Sequence, residues 1–390
     1  MERSVPAVHG NRRLRDNAEF RRMAAAVEAE QDAAILWAPG QDRRGNLVSA
    51  DGASGHSEDG GGAEAIAVSV VVCTHNRARL LPTCVESLRR QTLARERFEI
   101  VVVDNASSDE TPAVSAGLAA ATVNLRVVRE PRLGKSFALN AGCRESRGGI
   151  VAFIDDDGRA APDWLERIVA TFRSKVPTPA AVGGELLPIF AVTPPTWFPT
   201  GEFVVGAGDA PGFLAAERAC WELGGCNVAF RKDVLVAVGG FDSSLGPQGG
   251  RFRFGEDSEI LRRVIAHTPY VWYDPAIRVE HLVPAERLHA VDCLTRAFLH
   301  GRAVSRIEGT GLAALLRGRH RNLLPYVKRL SKRFRSCGNP AAAASSPPSA
   351  ARSAAGSQST TRADALKRDV FVTLRNLTFE LGRLYGAGWR

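Results

Sequence analysis

The chain has 390 residues, 45% hydrophobic and 24% charged, an ordinary globular composition with length for two or three domains at roughly 150 residues each. No apolar run approaches the ~18 residues of a membrane-spanning helix. The opening MERSVPAVHGNRRLRDNAEFRR has no apolar core and carries Glu2, Asp16 and Glu19, so neither a secretory signal nor a transit peptide is expected. The net charge of +9 is uneven: residues 311–390 hold 15 basic and 3 acidic side chains, a net +12, so residues 1–310 sum to −3. No nucleic-acid module accompanies this charge, and the basic tail fits a solvated flank or a peripheral contact with an anionic membrane. Seven cysteines without a C-x-x-C pair read as reduced thiols in a cytoplasmic protein.

In chain order, Phe20, Met23, Val27 and Ile35 stand near helical spacing within 17–37. Pro39–Glu64 contains seven glycines and no periodicity, so residues 1–64 divide into a helix and a linker. AIAVSVVVCTHN then reads as a strand buried on both faces. A helix over 78–91, the strand FEIVVVDNAS, a helix over 110–121, the strand LRVVRE, the helix KSFALNAGCRES and the strand GIVAFIDDD follow. This alternation predicts a doubly wound, mostly parallel α/β sheet flanked by helices. Pro162 and Asp163 start a further helix over 163–175.

Residues 176–285 are rich in Pro, Gly and aromatics, with a helix near 256–266 and a short strand at YVWYDP. Helices over 285–307 and 311–335 follow. GNPAAAASSPPSAARSAAGSQSTT cannot build a core. In the last segment Leu366, Val370, Leu374, Leu377, Leu381 and Leu384 form an amphipathic stripe. The expected organisation is therefore 1–64, a catalytic domain over 65–310, a basic helical extension over 311–336, a linker over 337–361 and an amphipathic helix over 362–390.

Ligands of a parallel sheet bind outside the carboxyl ends of its strands. Three such ends carry polar clusters: Thr74-His75-Asn76-Arg77, Asp104-Asn105 and Asp155-Asp156-Asp157. Residues two apart on a strand share a face, so Asp155 and Asp157 point together and Asp156 elsewhere. Two carboxylates on one side repel unless a cation lies between them, which suits Mg²⁺ or Mn²⁺ with a substrate phosphate. Glu256 and Asp257 open a helix, where carboxylates also serve as caps. His281 follows a short strand, either as a satisfied structural residue or as a ligand.

Together VSVVVCTHNR, EIVVVDNASSDET, GKSFALNAG, VAFIDDDGRAAPDWL, LGGCNVAFRKDVLVAVGGFDSSLG, GEDSEILRR and YDPAIRVEHLVP resemble the inverting family-2 glycosyltransferases of the GT-A fold. The resemblance spans residues 66–305. It implies transfer of a sugar from a nucleoside-diphosphate sugar to a glycan, lipid-linked or small-molecule acceptor. It further implies that Thr74 and Asp104 bracket the nucleobase, with Asn76 and Arg77 nearby. Lys135, Asp156 and the Gly224–Asn227 segment, with Gly225 and Asn227, join the donor site. Asp155 would reach the ribose or sugar, and Asp155 and Asp157, as a D-x-D pattern, would hold the metal with His281. Asp257 matches the catalytic base.

Two positions depart from the family. Leu139 stands where many members carry an arginine. The Q-x-x-R-W of processive synthases is CLTRAF here and keeps only Arg296, so a non-processive enzyme is expected. Displacing a diphosphate from an anomeric carbon requires a cation to neutralise the leaving group and one carboxylate to deprotonate the acceptor from the opposite face. A sugar-nucleotide nucleotidyltransferase is the alternative, but it wants a glycine-rich phosphate loop where CTHNRARLL stands. A non-catalytic binding module would be expected to lose Asp257 or the acidic run. Cytoplasmic placement, with peripheral contact at the inner face of the cell membrane, completes the expectation.

Overall fold

The computed structural model describes residues 66–206, 208–248, 254–309 and 362–388. The expected helices over 17–37 and 311–335 and the linkers at 39–64 and 337–361 lie outside these residues. Four strands, β1 (Val68–Thr74), β2 (Phe98–Asn105), β3 (Leu125–Glu130) and β4 (Ile150–Asp155), run parallel in the order β3-β2-β1-β4. The helices α1 (Leu81–Arg89), α2 (Thr111–Ala120) and α3 (Lys135–Glu145) make the crossovers. Every residue of β2 is buried, while β3 at the edge alternates.

The unbroken valine runs are explained by two cores. Val68, Val70, Val72, Ile100 and Val102 pack with Leu81 and Leu88 of α1 and with Trp164 and Ile168 of α4 (Trp164–Ser174). The intervening Val71, Val101 and Val103 pack on the other face with Ala138 and Ala141 of α3 and Ile260 and Leu261 of α7 (Glu256–His267). Each strand thus feeds both faces, as a parallel sheet between helix layers requires. Register then does the functional work: Thr74 stands level with Asp104, and Cys73 with Asp155, so the polar strand ends open on the same edge.

The sheet continues through antiparallel strands: β5 (Gly158–Ala160), β6 (Ala181–Phe190), β7 (Gly212–Phe213), β8 (Val228–Arg231) and β9 (Val271–Val283). The order runs β4-β8-β6-β9-β5, with β7 on β9. The short helices α5 (Ala216–Glu222) and α6 (Lys232–Ala237) flank β8. Residues 176–285, expected to hold one short strand, therefore supply four of the nine strands among the described residues. YVWYDP proves to be the start of a 13-residue strand. Its length is hidden in the sequence by Pro275, which normally argues against a strand interior. Here Asp274 Oδ1 accepts from the Ala276 amide at 2.8 Å, and β9 pairs with β7 before that point and with β5 after it.

By internal contacts the chain divides into two units. The first runs to Leu187 and adds Gly201–Ser244 and Glu256–His281; the second holds Pro188–Thr200, Leu245–Gly255 and the chain from Leu282. The first contains the sheet. In the second, α8 (Ala290–Ile307) packs along α9 (Arg362–Gly388). Along α9, Phe371, Thr373, Glu380 and Arg383 are buried, Val370, Leu374, Leu377 and Leu384 of the expected stripe are partly buried, and Leu381 is 47% exposed. Glycines set the approach. A Cβ on Gly301 would stand 2.0 Å from the Phe379 carbonyl, and one on Gly382 would stand 1.9 Å from that of Phe298. Phe371 closes the far end against Trp197 and Phe198, and Arg368 donates to the Thr196 carbonyl at 2.6 Å. Among the described residues no helix is long and apolar enough to cross a membrane.

Gly301→Val is expected to force α8 and α9 apart, because overpacking against a backbone carbonyl costs at least about 1–3 kcal/mol. Limited proteolysis should then release the C-terminal segment while the sheet core resists. Cleavage at the wild-type rate would show that the helices do not depend on this approach.

Candidate active site

The loops after β1, β2 and β4 are tied together by side chains that replace regular backbone bonding. Asn76 sits at φ +52°, a left-handed conformation that asparagine tolerates. Its Oδ1 accepts from the Ser108 amide at 2.8 Å, and its own amide donates to Ser107 Oγ at 3.0 Å. Ser107 in turn donates its amide to Asp104 Oδ1 at 3.2 Å, and Asp104 is only 2% exposed. Asn105 donates to the Arg132 carbonyl at 2.8 Å and accepts from the Gly134 amide at 2.8 Å. It thereby fixes the loop that launches α3 with Lys135.

The acidic run behaves as its alternation requires. Asp156 turns inward, where Thr74 Oγ1 donates to its Oδ2 at 2.7 Å and Arg77 Nη1 reaches its Oδ1 at 3.2 Å. Burial, reinforced by Asp157 and Asp155, pushes the Asp156 carboxyl up to about 7 against the pull of Arg77. Asp157 and Asp155 face His281. The imidazole Nε2 lies 3.1 Å from Asp157 Oδ1 and 3.9 Å from Asp155 Oδ2, while Arg77 Nη1 lies 2.6 Å from Asp157 Oδ2. Burial opposes ionisation of Asp157, but His281 and Arg77 outweigh it and hold the carboxyl below its ordinary range. Asp157 Oδ1 is itself buried and has no aligned hydrogen-bond donor.

A second cluster joins this one through Lys135. Its Nζ lies 2.8 Å from Asp155 Oδ1 and 3.7 Å from Glu256 Oε1. Burial alone would discharge the amine, yet Asp155 and Glu256 keep its proton bound more tightly than usual. Glu256, set against a cavity lined by Leu139, Phe153 and Ile260, has its carboxyl raised to about 7 by burial and by Asp257 and Asp155. Beside it, Asp257 accepts from its neighbour's amide, Ser258, at 2.8 Å and from the Gly225 amide at 3.2 Å. The helix start thus grips the loop before β8. Leu139 is 6% exposed in the core and offers no polar group there.

The structure brings Thr74, Arg77, Lys135, Asp155, Asp156, Asp157 and His281 into one connected cluster, with Gly225 and Asp257 joined to it through Glu256 and Lys135. Asn76 and Asp104 organise the adjoining loops. Asn227 is placed differently from the expectation that it lines the donor pocket. It is fully buried; its Oδ1 accepts from Trp164 Nε1 at 2.8 Å, and its Nδ2 donates to the Glu185 and Ile277 carbonyls at 2.9 Å each. Its side chain pins β8 to α4, β6 and β9. Asn105 and Glu256, named in the sequence as a strand-end residue and a cap, take contacts that the sequence does not show, because their partners Gly134 and Lys135 lie in distant segments.

Asn227→Ala is expected to cost about 3 kcal/mol or more, since it strands an indole N–H and two carbonyls in the interior at about 1–3 kcal/mol each. Urea unfolding checks this. Unchanged stability with weakened nucleotide binding would instead return Asn227 to the donor pocket.

The description "Glycosyl transferase family 2" matches residues 69–235. The glucosyl-dolichyl phosphate glucuronosyltransferase of Haloferax volcanii is 30% identical over 237 residues, covering 60% of this chain and 75% of that protein. The succinoglycan biosynthesis protein ExoM of Rhizobium meliloti is 27% identical over 246 residues, covering 63% and 76%. Among solved structures, the mannosyltransferase PcManGT from Pyrobaculum calidifontis, in complex with GDP-Man and Mn2+, superposes with a TM-score of 0.48 at 20% identity, covering 77% of this chain and 73% of that one. On the family match and the span of the Haloferax relative, the chain belongs to glycosyl transferase family 2, the GT-A enzymes that transfer sugars from nucleotide-sugar donors.

Proposed function

We propose that the chain performs inverting, metal-dependent, non-processive transfer from a nucleoside-diphosphate sugar to a hydroxyl acceptor, with Asp257 as general base. The observation that carries this reading is the separation of carboxylates by environment. Asp155 and Asp157 share one face with His281, whereas Asp257 stands on a different element and is held by two amides.

The residues fit a hard divalent ion. Asp157 Oδ1 is a buried oxygen with no aligned donor, and with Asp155 Oδ2 and His281 Nε2 it makes an oxygen-rich set of the kind Mn²⁺ or Mg²⁺ accepts. Bound there, such an ion would supply the Lewis acid that neutralises the leaving diphosphate. Lys135 keeps Asp155 aimed, and Arg77 neutralises the outer oxygens of Asp156 and Asp157. Thr74 and Asp104, level at the ends of β1 and β2, frame the nucleobase. Each carboxylate oxygen has two lone pairs, so Asp257 can hold the Gly225 loop and still accept the acceptor's proton. One displacement on the face opposite the diphosphate inverts the anomeric centre. The names of the two relatives above, one acting on a dolichyl-linked glucose and one in succinoglycan biosynthesis, support a lipid-linked or polymeric acceptor.

Asp257→Asn keeps the shape and an acceptor for one of the two amides. It is expected to fold with a loss of about 1 kcal/mol or less, bind donor normally, and lose transfer by at least about 100-fold. Near-native transfer would remove Asp257 as the base and leave it a cap. Asp157→Ala is expected to abolish the Mn²⁺ dependence of donor binding, read by calorimetry with and without chelator; an unchanged dependence would place the metal elsewhere.

A further inference from the structure

Cys226 stands just before β8, 5% exposed. The proposed mechanism gives its sulfur no task. Yet the Cys226 Sγ, a carboxylate oxygen of Asp155 and an imidazole nitrogen of His281 all lie within 4.8 Å of one another. The three residues come from different parts of the chain, and the backbone makes room for them. Gly158 pairs with His281 across β5 and β9, and a Cβ there would stand 3.2 Å from the sulfur.

We propose that Asp155, Cys226 and His281 form an oxygen–sulfur–nitrogen site for a borderline divalent cation of the zinc class, whose occupancy excludes the hard ion that serves the donor. This inference rests on the reading of Asp155 and His281 as ligands of the donor-site cation. Zn²⁺ takes thiolate and imidazole readily, whereas Mn²⁺ and Mg²⁺ prefer carboxylate and phosphate oxygens. Three protein ligands and one open position make the tetrahedral arrangement of an accessible zinc site. Bonds of about 2.0–2.3 Å imply ligand atoms roughly 3.3–3.8 Å apart, so the trio must close by about 1 Å at its widest. Asp155 can contribute without giving up its ion pair, because Lys135 holds Oδ1 while Oδ2 faces His281 at 3.9 Å. On binding, the S–H bond breaks, the sulfur keeps the electron pair and donates it to the cation, and the proton leaves to solvent. Because Asp155 and His281 belong to both arrangements, zinc and manganese compete.

The test is the optical spectrum of the full-length protein titrated with Co²⁺, a spectroscopic stand-in for Zn²⁺. A thiolate-to-cobalt charge-transfer band is expected at one equivalent in the wild type and in Cys143→Ser, to be bleached by Zn²⁺, and to be absent from Cys226→Ser and Cys226→Ala. Zn²⁺ affinity should fall at least about tenfold in both Cys226 variants. A cobalt spectrum without a thiolate band in the wild type, a failure to bind cobalt, or a band that survives in folded Cys226→Ala would each overturn the site. Mn²⁺-dependent binding of nucleoside diphosphate to the wild type is measured alongside. Its absence would count against the proposed function, while the cobalt band alone decides the thiolate.

Discussion

Three adjacent carboxylates at the mouth of a buried strand dominate this structure. Two like charges about 4 Å apart repel by roughly 4 kcal/mol at an effective dielectric near 20, so Asp155–Asp157 could not persist unaided. Each is met by a different device. Asp156 turns inward to Thr74 and Arg77 and has its carboxyl raised to about 7, Asp157 takes the outer contact of Arg77 and the imidazole of His281, and Asp155 takes Lys135. The remaining negative charge, concentrated on the face shared by Asp155 and Asp157, is what a bound divalent cation would offset.

The scaffold exists to hold those counter-charges still. Thr74 is the last residue of β1, Lys135 the first of α3, and His281 lies near the end of β9, so parallel and antiparallel halves of the sheet both reach the acidic run. Asn105 sets the approach to Lys135 and Asn227 locks β8. Another buried carboxylate, Glu99, shows the contrasting case. Burial disfavours its charge, but Arg126, the Ser69 hydroxyl and the Arg147 amide satisfy it fully, and its carboxyl lies below the ordinary range. Glu99 has its oxygens engaged by protein donors, whereas Asp157 Oδ1 meets only the His281 imidazole, without an aligned donor.

The parallel half of the fold was legible because strands buried on both faces read as unbroken valine runs, and polar residues at their ends stand out against them. The antiparallel half was not, since Pro188 and Pro275 interrupt β6 and β9 and their pairing depends on partners far along the chain. The acidic run and Asp257 were legible by residue type and place. The contacts of Asn227 and Glu256 were not, because each depends on residues far along the chain, such as the 63-residue separation between Trp164 and Asn227. In the last helix, leucine periodicity marks an amphipathic face, but it does not reveal the close backbone approach that Gly301 and Gly382 allow.

If the acidic run is a cation and diphosphate site, metal and nucleotide must strengthen each other's binding by the same factor. Electron paramagnetic resonance of Mn²⁺ titrated into the wild-type protein, alone and with uridine, thymidine or guanosine diphosphate, measures that factor directly. The expected result is a single protein-bound Mn²⁺ whose affinity rises with one of the three nucleotides. Mn²⁺ affinity indifferent to all three, with a nucleotide binding equally well in chelator, would contradict the account.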